Sequence, residues 1–210
     1  MIPLREKTPK RRPITTVVST WGDHKPDLKI DFNDRCAYCD SHDGYRHTWY
    51  EVDHFIPKAF FRQFGKITDT QYDNLVYSCK FCNNGKHNKW PTESETIYND
   101  GKIGFVDPCS DEYDTHFYRN ADGSIMWASD VGKWMYQIAF KFDQRERGIK
   151  LLWNLQKLKS LIIVLDPIVE QLNADGKNHT DAHRKLLEYT LAYFKFENEL
   201  KAYYDSLNER

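Results

Sequence analysis

The sequence predicts an α+β protein: a small metal-clipped β-rich part followed by a mainly helical C-terminal region. Three observations carry that reading. Two CxxC pairs, Cys36/Cys39 and Cys79/Cys82, supply four thiolates at the two-per-knuckle spacing of a tetrahedral Zn²⁺ site. Short runs rich in β-branched and aromatic residues, Thr48 to Val52 and Leu75 to Ser78, lie between turn-forming stretches. From about Trp134 onward, apolar residues recur with a helical period. A chain of 210 residues has room for one good core or two modest ones. The expected division is a basic arm and strand over 1–30, the clipped domain over 31–104, and a small β segment with a helical bundle over 105–210.

In chain order, Ile14 to Thr20 is β-branched and reads as a strand, and residues 22–27 (GDHKPD) read as a loop. The first knuckle sits in the polar segment 28–47. An extended run over Thr48 to Val52 then delivers Asp53 and His54 at its end. The connection that follows contains AFFRQF, one or two amphipathic helical turns. Leu75 to Ser78 is the second short strand and leads into the second knuckle. Asn83 opens a short helix that must finish by Trp90, because Pro91 disfavours helical geometry in the residue before it. Residues 92–102 read as a linker, and Ile103 to Pro108 as extended. A turn at Asp122 and Gly123 marks a hairpin. Leu151, Leu155, Leu158, Ile162, Leu165, Val169 and Leu172 form one helical stripe, with Asp166 and Pro167 read as a kink or a new helix start. Leu186, Tyr189, Tyr193, Phe196, Leu200, Tyr203 and Leu207 form a second.

Composition narrows the function classes. No apolar run approaches the roughly 20 residues a membrane span needs, and the charged N-terminal stretch has no apolar segment behind it, so it is not a secretory signal. The expected location is the cytoplasm. Reduced thiols there favour metal over disulfide and leave Cys109 as a free structural thiol. Net charge is −1, so a nucleic-acid binder would need its positive charge concentrated. Residues 1–12 do concentrate it, with Arg5, Lys7, Lys10, Arg11 and Arg12 against Glu6. A solvated tail would look the same by charge alone.

Hydrolysis of a phosphodiester needs a base to take a proton from water and a cation to neutralise charge on the phosphate. Asp53 supplies an anionic metal ligand. His54, one residue on, points differently in an extended chain and so can face water. Two other metal chemistries fail. A zinc finger from Cys36, Cys39, His42 and His47 leaves two residues where about twelve are needed. A zinc deaminase needs HxE, and none of the eight histidines has Glu two positions on.

The order DH, then Asn74, then CxxCN followed by Lys86 resembles the HNH endonucleases of the four-cysteine, zinc-binding branch. That resemblance implies a ββα-metal motif in which two strands and a helix surround one divalent cation, Mg²⁺ or Mn²⁺. By it Asp53 is the first metal ligand and His54 the general base. Asn74 pins the loop that orients the imidazole, and Asn83 is the second metal ligand where many members have His. His87, four residues after Asn83, is the rival for that role. Lys86 and His87 become candidates for phosphate contact, alongside Lys10, Arg11 and Arg12 of the basic arm. The four cysteines match the structural Zn²⁺ site.

The tight resemblance covers residues 36–87. More loosely, the basic arm, Val106 to Cys109 and the helical half resemble small HNH effectors of Septu- and retron-type anti-phage defence, which implies an ATPase partner subunit. The expectation is therefore a metal-dependent endonuclease acting on nucleic acid, with DNA as substrate. Its rivals are a zinc-stabilised module that grips nucleic acid without cutting it, and an assembly subunit that works through its helices.

Overall fold

A computed structural model describes residues 1–45, 47–64 and 66–208. The chain forms two compact units, Met1–Glu146 and Arg147–Arg210. The parts of the first knuckle and the final helix that fall on residues 46 and 209–210 lie outside the described residues.

The first unit is built on an antiparallel hairpin of two five-residue strands, β2 (Tyr50–His54) and β3 (Leu75–Cys79). Tyr50 pairs with Cys79 and His54 with Leu75. β2 lies two residues later than predicted, so Asp53 and His54 are inside the strand. Their pairing with Val76 and Leu75 satisfies their backbone groups in the ladder. β3 passes directly into helix α3 (Lys80–Lys86). That helix starts three residues before Asn83, because Cys79 occupies the N-cap and the second knuckle is itself helical. It ends at His87, whose φ of 48° breaks the helix, ahead of the limit set by Pro91.

A second, three-stranded sheet has the order β1 (Ile2–Pro3), β4 (Phe117–Arg119), β5 (Ile125–Trp127). β4 and β5 form the predicted hairpin. Strand β1 brings the start of the chain into this sheet. There Arg5 is buried, its guanidinium paired with Asp114 and donating to the Pro108 carbonyl at 2.7 Å.

Three local readings are corrected. Ile14 to Thr20 forms no strand; its side chains are mostly exposed and it has no ladder partner. Residues 22–27 are helical, not a loop. Trp21–His24 forms a 3₁₀ turn with a Thr20/Asp23 capping box and continues into α1 (Lys25–Asp31), and Pro26 in the first turn favours that helix rather than breaking it. Ile103 to Pro108 holds one isolated bridge, Asn99 to Gly104, and no strand.

Helix α2 (Lys58–Phe64) realises the AFFRQF turns. After α4 (Asp130–Trp134), Met135–Ala139 is a π-helical turn. Gly85 of α3 is pressed against it, and a Cβ there would lie 2.9 Å from the Ala139 carbonyl oxygen. Trp90, Phe105, Phe140 and Phe142 form an aromatic core whose rings stack or meet edge to face.

The second unit consists of most of α5 (Glu146–Ala174) and α6 (Asp181–Asn208). The helices run antiparallel: the space a Cβ on Gly148 would need is taken by Tyr203 and Tyr204, and His183 meets Asn173 at 2.9 Å. Both predicted stripes are the more buried faces, except that Leu207 is exposed. α5 runs through Pro167 without a new start. Proline removes only the bond to the Ile163 carbonyl, and Ile163 is exposed, so water can take that bond's place. No helix among the described residues is long and apolar enough to cross a membrane.

Candidate metal centres and the groove beside them

The sulfurs of Cys36, Cys39, Cys79 and Cys82 lie within 4.8 Å of one another, all buried. Cys39 and Cys79 are 3.9 Å apart. That is far beyond a disulfide bond and close to the ~3.8 Å that tetrahedral Zn–S bonds of about 2.3 Å impose. The donor set and its spacing fit Zn²⁺. Local bonding explains how the sulfurs converge. Cys36 N–H donates to the Ser41 carbonyl and Asp40 N–H to the Cys36 carbonyl, both at 2.9 Å, curling the first knuckle. Ala37 N–H donates to the Tyr77 carbonyl at 2.8 Å, docking that knuckle on β3. Burial drives the Cys36 and Cys82 thiols well up, whereas hydrogen bonds from the neighbouring cysteines hold Cys39 down and outweigh burial to hold Cys79 down too; four thiolates crowded this closely need a bound cation. Arg145 supplies further positive charge, donating from Nη2 to Cys82 Sγ at 3.1 Å. Cys109 stands apart, a half-buried thiol that burial raises to about 11, which fits its reading as a structural residue.

A separate open groove of about 400 Å³ is lined by Trp21, Asp53, His54, Lys58, Asn83 and His87, among others. The predicted base and all three candidate ligands thus share one groove. His54 Nε2 lies 2.7 Å from the Asp69 carbonyl oxygen. A carbonyl only accepts, so the neutral ring carries its proton on Nε2, and Nδ1 keeps its lone pair. Burial, assisted by Lys58, pulls the imidazole below its ordinary range against the hydrogen bond to Asp69. The ring is only 5% exposed, flanked by Trp21 and Phe61 with centroids 5.5 Å away.

Asn74 lies behind the groove. Its Oδ1 accepts from Ile56 N–H at 2.8 Å and its Nδ2 donates to the Ile56 carbonyl at 3.1 Å. It therefore pins the turn that leaves β2, a positioning arrangement one residue removed from the imidazole.

Asp53 is held from two directions. Tyr38, from between the first two cysteines, donates to Oδ2 at 2.6 Å. Lys86 lies 3.2 Å from Oδ2 and also donates to the His54 carbonyl at 2.7 Å. Lys86 also donates to Oδ1 at 3.3 Å, so three of a carboxylate's roughly four acceptor positions are taken and one remains for a cation. Asn83 and His87 line the same groove, and with Asp53 they would offer two oxygens and a ring nitrogen, donors of the kind that Mg²⁺ or Mn²⁺ takes.

Several predicted phosphate contacts are placed elsewhere. Lys86 is fully buried and is the internal counter-ion of Asp53, so it cannot meet a phosphate. Burial lowers its ammonium pKa, with Asp53 opposing. Arg11 is bound to Asp107 through two contacts at 2.9 and 3.1 Å and to the Leu75 carbonyl at 2.7 Å. Arg12 pairs with Asp27 and Asp31. Both arginines tether the chain internally, while Lys10 is exposed.

Sequence reasoning missed three residues. Lys58 puts an ammonium into the groove, 3.0 Å from the centre of the Trp21 ring. Tyr38 was hidden inside the knuckle. Glu51 accepts from Asn83 Nδ2 at 2.8 Å, and a signal for it was present: in EVDH, alternation along a strand puts Glu51 and Asp53 on one face.

With this geometry in place, the family model described as HNH endonuclease matches residues 36–89, which bears out the resemblance read from the four cysteines and the DH pair. Comparison with curated proteins and with solved structures gives no match.

Proposed function

We propose, from the HNH-type motif at residues 36–89, that the chain is a metal-dependent endonuclease that hydrolyses phosphodiester bonds in nucleic acid, with DNA as substrate. The observation that carries this reading is the His54 imidazole, held in one tautomer on the wall of a groove that also receives Asp53 and Asn83.

His54 Nδ1 takes a proton from water as the water oxygen bonds to phosphorus. The bond from phosphorus to the leaving sugar oxygen breaks, and solvent protonates that oxygen. Held by Asp53 and Asn83, Mg²⁺ or Mn²⁺ would neutralise charge at the phosphate. Lys58 takes the phosphate-contact role first assigned to Lys86, because it alone of the two faces the groove. Asn74 fixes the loop behind the base, and the four-cysteine Zn²⁺ site holds strands and helix in register. The likeness to defence effectors extends the proposal to anti-phage defence with an ATPase partner. Exposed apolar residues on the long helices, such as Ile163, Val164, Leu187 and Leu191, support a partner surface.

Purified chain incubated with plasmid and Mg²⁺ or Mn²⁺, alone and with any ATPase encoded beside it, should nick or cut DNA. His54→Ala should reduce the rate at least ~100-fold while leaving zinc content and fold intact. Binding without cleavage in both proteins, under every condition, would favour the non-cutting module instead.

A further inference from the structure

We infer that Glu51 is a positioning residue for Asn83, turning its side-chain amide so that Oδ1, and not Nδ2, is presented to a divalent cation in the groove. The inference deepens the proposed function, since it rests on the groove being a divalent-cation site, but it does not rest on cleavage.

An asparagine amide has two faces of opposite character. Its oxygen can ligate a cation, whereas its NH₂ group repels one. Asn83 sits in the second turn of α3, and nothing in its own backbone decides which face looks outward. Glu51 decides it. A carboxylate only accepts, so the 2.8 Å contact between its Oε2 and Asn83 Nδ2 admits one orientation, with Oδ1 at the other edge of the planar amide.

Glu51 is itself held in place by the ladder, paired with Ser78 in the middle of the hairpin. It is not among the residues that line the groove, although Asn83 is. The carboxylate thus stands behind the amide.

The test is Mn²⁺ binding by the full chain with its four-cysteine site loaded with zinc, followed by electron paramagnetic resonance. Glu51→Ala should weaken Mn²⁺ binding about 10-fold, in the range seen when a partner behind a ligand is removed. Asn83→Ala should weaken it at least as much. Glu51→Gln keeps an acceptor oxygen for Asn83 Nδ2 and should stay within about 3-fold of the unaltered chain. Zinc content and thermal midpoint, which a merely structural tether would move, should not change with Glu51→Gln.

Unaltered Mn²⁺ affinity in Glu51→Ala overturns the inference. So does a loss in Glu51→Gln as large as in Glu51→Ala, because the carboxylate would then act through its charge as a ligand. Failure of the unaltered chain to bind Mn²⁺ overturns it as well. Binding that depends on Glu51 but is accompanied by no plasmid cleavage leaves the inference standing and sinks the hydrolase reading, so the two failures are separable.

Discussion

In the proposed mechanism His54 works as a base only while its ring is neutral, and burial lowers the pH at which it charges. The acid limb of the cleavage rate should therefore fall below the ordinary imidazole value of about 6.5, with a plateau through neutrality. A rate profile over pH 4.5 to 8 checks this, and a limb above that value would contradict the described environment. The stability linkage has the same sign. A depressed folded-state value makes this contribution fully present above about 6.5 and lost as pH falls toward the folded value. Lys86 gives a second residue-scale expectation. Its ammonium is wholly enclosed and paired with Asp53, whose side chain is 8% exposed. Lys86→Met should cost about 3 kcal/mol in a urea titration, because it leaves a nearly buried carboxylate without its counter-ion. A phosphate-contacting lysine would instead leave stability unchanged and weaken nucleic-acid binding.

Among the elements, strand–strand–helix geometry is what gathers four scattered cysteines and sets the DH pair in a groove. This much was legible in the sequence, because CxxC spacing, β-branched runs and the DH and CN pairs are local signals. The boundaries were less so. Placing Asp53 and His54 after the strand followed from the propensity of Thr48 to Val52, whereas the ladder extends to the residues that Val76 and Leu75 can pair. The Glu51 contact with Asn83 and the Lys86 contact with Asp53 join residues more than thirty positions apart, and no propensity reports that. Gly85 shows the same limit. In a helix, alanine is favoured over glycine by about 1 kcal/mol, so propensity alone makes Gly85→Ala stabilising. Here the new Cβ would meet the Ala139 carbonyl at 2.9 Å, a backbone atom that cannot swing aside. Overpacking of that kind costs ~1–3 kcal/mol, and the substitution should lower the midpoint of thermal unfolding.

At the scale of the whole molecule, the clearest lesson concerns the first twelve residues. Their charge suggested an arm reaching for a phosphate backbone, yet Arg5 and Arg11 are spent on Asp114 and Asp107 within the first unit. Composition reports how much charge a segment carries, not which carboxylates lie opposite it after folding. Arg11→Ala should therefore destabilise the protein by about 2 kcal/mol, the order expected when a mostly buried, hydrogen-bonded charge loses its partner. An arm that works only by long-range attraction would show no such loss and a shallower salt dependence of binding. Lys10→Ala, at an exposed position, is the matched control and should leave the unfolding midpoint in place.

Tyr38 occupies the turn that bears Cys36 and Cys39, and its hydroxyl ends on Asp53. This gives the protein an order of maturation. Until the sulfurs have gathered, the hydroxyl is placed only by its ring stacked on Phe140 and by Tyr113 donating to the Tyr38 carbonyl, and the hold on the carboxylate falls more to Lys86. A chain made during zinc starvation should thus emerge with a looser Asp53 carboxylate, and supplying zinc afterwards should tighten the proposed cation site before any magnesium or manganese is added.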